Sequence, residues 1–242
     1  MKHLSLLLST LLLVACGGGG GGGAPGPVAS TSTFQLKQAY ANNFNQTASQ
    51  TWTVSGTVTT NGATADISGN GVTTQSAVAN TTYDGVLAQQ KSQTASGTLV
   101  ATALGQSTSF PFPTTTVTYF VNLAFDPLGS SSGGLFTFAA APALIPFTAR
   151  VGDSGTIGTF NTYAFQSQPR GPLLSRTAFS YSIEADTAST AILRITQIGT
   201  NAAGAVVVTQ FETFRITPAG DITRLTGSAT VAGQSTATFT YQ

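Results

Sequence analysis

The chain has 242 residues, 9 Lys+Arg against 8 Asp+Glu and a net charge of +1, and charged residues make up 7% of it, against about 25% in an ordinary soluble domain. So sparse and balanced a charge excludes the basic footprint of a nucleic-acid binder. One cysteine excludes an intramolecular disulfide framework and a cysteine-clustered metal site, so no cofactor is expected.

Lys2 and His3 precede an apolar run at 4–15, broken only by Ser5, Ser9 and Thr10. As a helix this run rises about 18 Å, too little for a hydrocarbon core of about 30 Å. A positive start, a short apolar centre and a small residue before the cut describe a secretory signal peptide. The run ends Leu13-Val14-Ala15-Cys16, which resembles a bacterial lipobox. The resemblance implies cleavage between Ala15 and Cys16, a diacylglycerol on the Cys16 thiol and a further acyl chain on the new α-amino group. More than one acyl chain is what stable anchoring requires. Position 17 is glycine; it lacks the aspartate that retains lipoproteins at the inner membrane of enteric bacteria, so the outer membrane is the expected address.

Seven glycines at 17–23 and the small, Pro-containing stretch to Thr33 predict a flexible tether. The expected organisation is therefore a signal peptide at 1–15, a lipidated cysteine with a Gly-rich tether at 16–33, and a folded domain at 34–242. That domain opens with a helix near 34–44, because Ser32 and Gln35 have capping-box spacing and Leu36, Tyr40 and Phe44 recur every four residues. The stripe is expected to lie on a sheet.

Period-two alternation then dominates. Trp52, Val54, Gly56 and Val58 alternate with Thr51, Thr53, Ser55 and Thr57; Val117, Tyr119 and Val121, Phe179, Tyr181 and Ile183, and Ala237, Phe239 and Tyr241 repeat the pattern. One buried and one wet face is the mark of antiparallel sheets, and the 41 threonines suit the wet face because their β-branch packs along the pleat. Turn signals at Asn61-Gly62, Gly105-Gln106, 201–204 and 232–234 separate the runs. The fold class is all-β: an antiparallel meander of about nine to eleven strands, with barrel and sandwich both open. An internal duplication is an added expectation, since 67–71 resembles 153–156 and 125–129 resembles 216–220; the low-complexity stretch 129–134 would be the loop joining the halves.

Gly152-Asp153-Ser154-Gly155 matches the nucleophile motif of chymotrypsin-like proteases, but a chain without His3 holds no imidazole to accept the serine proton. A turn is the reading, and no enzyme is expected. The carboxylates are scattered and form no calcium loop. All six arginines lie in the second half. Surface ion pairs across strands are their expected use, and Arg170 with Arg176 is the candidate contact for an anionic partner such as a lipid headgroup. Trp52 is expected in the core.

The lipobox, the glycine tract, and phrases such as 149–155 and 214–220 resemble a family of β-proteobacterial outer-membrane lipoproteins without an assigned activity. The glycine tract is also similar to surface lipoproteins of the transferrin-binding and factor-H-binding type. The resemblance implies an address and a membrane partner through Cys16. The leading expectation is a non-catalytic lipoprotein displaying a β domain for protein or glycan contacts. The alternative is a periplasmic-facing carrier of a lipid or other hydrophobic ligand, as small barrels can be. A transmembrane barrel is a further possibility to weigh, because low charge and alternation are its marks.

Overall fold

A computed structural model describes residues 27–60, 62–233 and 235–242. Ala15, Cys16 and the glycine tract lie outside the described residues. A helix, α1 (Leu36–Asn45), precedes thirteen strands: β1 (Gln50–Thr60), β2 (Ala63–Gln75), β3 (Ala79–Tyr83), β4 (Val86–Ala103), β5 (Gln106–Asn122), β6 (Pro127–Ser132), β7 (Leu135–Ala139), β8 (Ser154–Tyr163), β9 (Ser175–Ala185), β10 (Ala191–Asn201), β11 (Val206–Ile216), β12 (Ile222–Val231) and β13 (Ser235–Tyr241).

Every strand pairs antiparallel with its neighbour along the chain, apart from a break after β2, and β1 also pairs with β13. The sheet closes where β2 meets β4, from Asp66 opposite Thr102 to Gln75 opposite Gln93. The result is a twelve-stranded barrel with β3 as an extra strand. Closure leaves no long unpaired edge on a sheet rich in β-formers. β3 continues the line of β2 along β4, and Ser76 makes the join. Its amide donates to the Ser92 carbonyl (2.8 Å) and its Oγ accepts the Ser92 amide (2.9 Å).

The alternation in β1 proves to be lumen against exterior. Trp52 and Val54 are buried inside, while Thr51, Thr53 and Ser55 face out. Hydroxyls stitch the outer face across strands, as in Thr94 with Thr116 (2.8 Å), Ser92 with Thr118 (2.8 Å) and Thr230 with Thr236 (3.4 Å). Each such pair contributes about 0.2–1 kcal/mol. An exterior of hydroxyls is the inverse of the apolar band that a membrane barrel presents to lipid.

Strands that alternate in direction put the turns β1–β2, β4–β5, β6–β7, β8–β9, β10–β11 and β12–β13 at one end, the far end. The N-terminal segment, the C-terminus and the β5–β6, β7–β8, β9–β10 and β11–β12 connections share the other. There Val28 bridges to Asp186 and Phe34 to Ala149. The helix closes this end. It begins at Leu36 after Gln35, with no side-chain cap, so the expected capping box does not form; Ser30 Oγ instead accepts the Ser32 amide.

Leu36, Ala39 and Phe34 enter a core with Ile183, Leu193, Phe214 and Ile216, all inward residues of the barrel wall. The helix thus plugs a barrel end and does not lie across a sheet. Asn42 donates to the Gly220 carbonyl (2.8 Å) and Gln46 to that of Ile222 (3.2 Å). Lys37 pairs with Asp126 at 2.5 Å. Lys91 of β4 donates to the carbonyls of Asn43 (3.3 Å) and Gln46, satisfying the C-terminal end of the helix where a cation is favoured.

The stretch 129–134, expected as a joining loop, is instead most of β6 and a Gly133-Gly134 turn with φ +57° and +80°. Its serines find ladder partners in β5 and β7, which hold a strand that has no hydrophobic period of its own. Of the motifs behind the expected duplication, 125–129 and 216–220 both lie at turns of the plugged end, six barrel strands apart. The other pair, 67–71 and 153–156, falls five apart.

Candidate functional site

Two places concentrate polar and aromatic side chains: the lumen beneath the helix, and a groove on the outer face.

In the lumen, inward positions of β11, β12 and β13 bring Glu212, Arg224 and Tyr241 together. Arg224 is ion-paired to Glu212, and its guanidinium lies 4.2 Å from the Tyr241 ring centroid. Tyr119 of β5 and Tyr40 of the helix complete the cluster, with Tyr119 within charge range of the ion pair and of Tyr40. Tyr119 faces inward and is not tightly packed, so the lumen holds open space at its level, although its hydroxyl lies deep.

Burial pushes the Tyr119 phenol up to about 12, with the Glu212 charge adding to it, and burial raises Tyr40 and Tyr241 as well. Burial also lifts the Glu212 carboxyl above its ordinary range and outweighs the opposing pull of Arg224. For Arg224, burial works against the charge, but Glu212 together with Tyr241 and Tyr119 more than restores it.

Nine buried side-chain polar atoms have no hydrogen-bond partner among the described residues, and seven belong to inward positions: Trp52 Nε1, Thr73 Oγ1, Gln89 Oε1, Gln93 Nε2, Gln210 Nε2, Arg224 Nε and Tyr241 OH. The lumen is a polar interior walled by aromatics. Trp52 packs at 5.1 Å on Phe112 and 5.6 Å on Phe239.

Lys91 is 4% exposed. Burial lowers its ammonium from the usual 10.5 to about 8. Between those values the unfolded chain holds a proton that the folded chain has lost, so stability rises with pH through that window. The tyrosines act oppositely above their ordinary value of 10.0, where the folded chain keeps protons that the unfolded chain releases. The melting temperature is therefore expected to climb from pH 8 to a maximum close to pH 10, a gain on the order of 2–3 kcal/mol. In Lys91→Met the climb should vanish. A scan that is flat in the wild type, or that climbs equally in the variant, contradicts this account of Lys91.

On the outer face, β3 and β4 end in a tight Asp84-Gly85 turn with φ +51° and +78°. Such a primed turn matches the strand twist. It lowers Tyr83 onto Phe120 (centroids 3.9 Å apart, planes at 10°) and Phe138 (5.0 Å, 17°). The Tyr83 hydroxyl reaches the carbonyls of Thr137 (2.8 Å) and Ser130 (3.2 Å). Gly129 lies directly under the ring, where a Cβ would be 3.0 Å from it.

The β8–β9 loop approaches the same place. Arg170 is ion-paired to Asp84 and stacks 3.7 Å from the centroid of Phe138. Between hairpin tip and loop runs a groove of 490 Å³, lined by Thr82, Asp84, Phe136, Phe165, Gln166 and Gln168 among others.

The two arginines singled out as an anion contact are separated by this arrangement. Arg170 is 16% exposed and committed to Asp84. Arg176 stands exposed on the outer face of β9 and takes part in none of the ion pairs among the described residues. The expected surface pairs are present at Arg194–Glu184 (3.7 Å) and, between β11 and the residue after β9, at Arg215–Asp186 (2.7 Å), whereas Arg224–Glu212 is buried in the lumen. The Arg215 hydrogen bond holds the Asp186 carboxyl below its ordinary range.

Asp153 caps a turn by accepting the Arg150 amide (2.8 Å), and Ser154 opens β8 on the surface. The expected turn is present only in its first half: the chain turns through 150–153, while Ser154 and Gly155 already belong to β8.

The inward acid and base were discoverable in the sequence. Glu212 precedes Phe214 and Ile216 at period two, and Arg224 follows Ile222 in the same phase. The groove was not, because it joins residues 82–85 to 164–168 through two turns with no shared pattern. Set against protein-family models, characterised proteins and solved structures, the chain matches none, and its functional reading rests on its own geometry and sequence.

Proposed function

We propose that this chain is a non-catalytic lipoprotein of the bacterial outer membrane, anchored through Cys16, that displays its barrel for protein or glycan contacts. One observation carries the reading furthest. The N-terminal segment enters at the end plugged by α1, beside the Val28 and Phe34 bridges, which leaves the opposite end and the barrel wall free for partners. An exterior stitched by hydroxyls suits display in an aqueous compartment next to a membrane.

The carrier reading has less support. The lumen offers Glu212, Arg224, Lys91 and unpartnered amides, which are poor company for a hydrophobic ligand. The test of the anchor is membrane fractionation with radiolabelled palmitate. The wild type should pellet with membranes and carry label. Cys16→Ser should lose the label and leave the membrane fraction. Retention of the variant in membranes overturns the proposal.

A further inference from the structure

We propose that the outer groove between the β3–β4 turn and the β8–β9 loop is a binding site for a neutral saccharide. The inference rests on the display reading for its biological setting and deepens it by naming a site and a ligand class. Its volume of 490 Å³ lies within the range of small-molecule sites, about 300–1,000 Å³. Its lining matches the two faces of a sugar ring. Phe165 is a large apolar side chain left 58% exposed on a loop, with Phe136 half-buried beside it. Aromatic faces of this kind can cover the C–H side of a pyranose.

Around them stand a hydroxyl (Thr82), two amides (Gln166, Gln168) and one carboxylate (Asp84), groups that donate to and accept from ring hydroxyls. The Asp84 side chain is 49% exposed, and only its Oδ1 is engaged by Arg170. The other oxygen takes part in no hydrogen bond among the described residues and can accept one.

Charge selects the class. Arg170, the cation at the hairpin tip, is neutralised by Asp84 and packed on Phe138 and Tyr163, and Arg176 is not among the residues lining the groove, so the lining offers no free positive charge to a phosphate, sulfate or uronate. A lipid tail finds too many polar groups and too shallow an apolar floor. Rigidity favours binding as well, because Tyr83 is 1% exposed and fixed by two stacks and a hydroxyl hydrogen bond, which holds the Asp84 turn in place before any ligand arrives.

The test uses the full chain, with saturation-transfer NMR and calorimetry against maltotetraose, cellotetraose, chitotetraose and a heparin tetrasaccharide. At least one neutral tetrasaccharide should saturate below about 10 mM, and Phe165→Ala should weaken it about tenfold or more while the melting temperature holds. Asp84→Asn should weaken it too. Absence of saturation by all three neutral probes, unchanged binding in Phe165→Ala, or preference for heparin overturns the assignment. Fractionation of the same chain reads the anchor separately, so loss of one does not mimic loss of the other.

Discussion

Trp52→Ala should lower the unfolding free energy by about 3–5 kcal/mol, the range for emptying a large aromatic from a core. The indole is 1% exposed and is the centre of the cluster formed by Phe112, Phe239, Tyr241, Leu99 and Ala95. Its seat is built from glycine. A Cβ on Gly71 would stand 2.2 Å from the indole, and one on Gly97 would stand 2.9 Å from it. These two residues are register partners on β2 and β4, the pair that closes the barrel. The closing seam is thus held flat so that a ring from β1 can lie across it.

Gly71→Ala should accordingly cost about 1–3 kcal/mol through overpacking. Part of that cost is owed to the indole and part to the Ser96 carbonyl, also 2.2 Å from the added Cβ. In the Trp52→Ala background the first part disappears. The double variant should therefore be less destabilised than the sum of the singles by about 1 kcal/mol or more, a coupling of the size seen for residues in contact. Urea unfolding of the four proteins measures it. Strict additivity would mean that Trp52 does not rest on the seam.

The second large effect is expected at Tyr83. Tyr83→Ala removes the two stacks and the hydroxyl that fasten β3 to the outer wall, for a loss of about 3–5 kcal/mol. Tyr83→Phe keeps the stacks and removes the hydroxyl's hydrogen bonds to the carbonyls of Thr137 and Ser130, for about 0.5–1.5 kcal/mol. The two variants differ in kind as well as size. Without the ring, the Asp84-Gly85 turn loses its main attachment, and limited proteolysis should cut there first. With phenylalanine the turn should stay protected. If Tyr83→Ala left the turn uncut, Arg170 and the ladder with β4 would be sufficient to hold it.

These two sites show what the sequence discloses and what it conceals. Alternation in β1, β5, β9 and β13 reports directly on which residues face inward, and Trp52 in the core follows from it. Period two is blind to closure. A barrel and a sandwich share the same alternating strands, and the choice depends on the β2–β4 pairing, which no local pattern encodes. The strand count exceeds nine to eleven for a related reason. β3, β6 and β7 have five, six and five residues, and β6 reads Pro-Leu-Gly-Ser-Ser-Ser, so their ladders come from neighbours and not from propensity.

Helix α1 was legible from Leu36, Tyr40 and Phe44, but its task as a plug depends on Lys91 and Gly220, 48 and 178 residues away from the helix residues they touch. The candidate site divides similarly. The turn at Asp84-Gly85 and the exposure of Phe165 become a groove only once the hairpin tip and the β8–β9 loop meet on the outer wall.

The most direct test of the account is graded protease digestion of cells carrying an epitope in the β10–β11 turn between Ala203 and Gly204. That turn is exposed at the far end, whereas Gln242 hydrogen-bonds to Thr51 beside the plug. The account predicts loss of the epitope either on intact cells, which would place the partners outside the cell, or as soon as the outer membrane is breached. An epitope that survives until the cytoplasmic membrane is lysed would contradict a barrel displayed from the outer membrane.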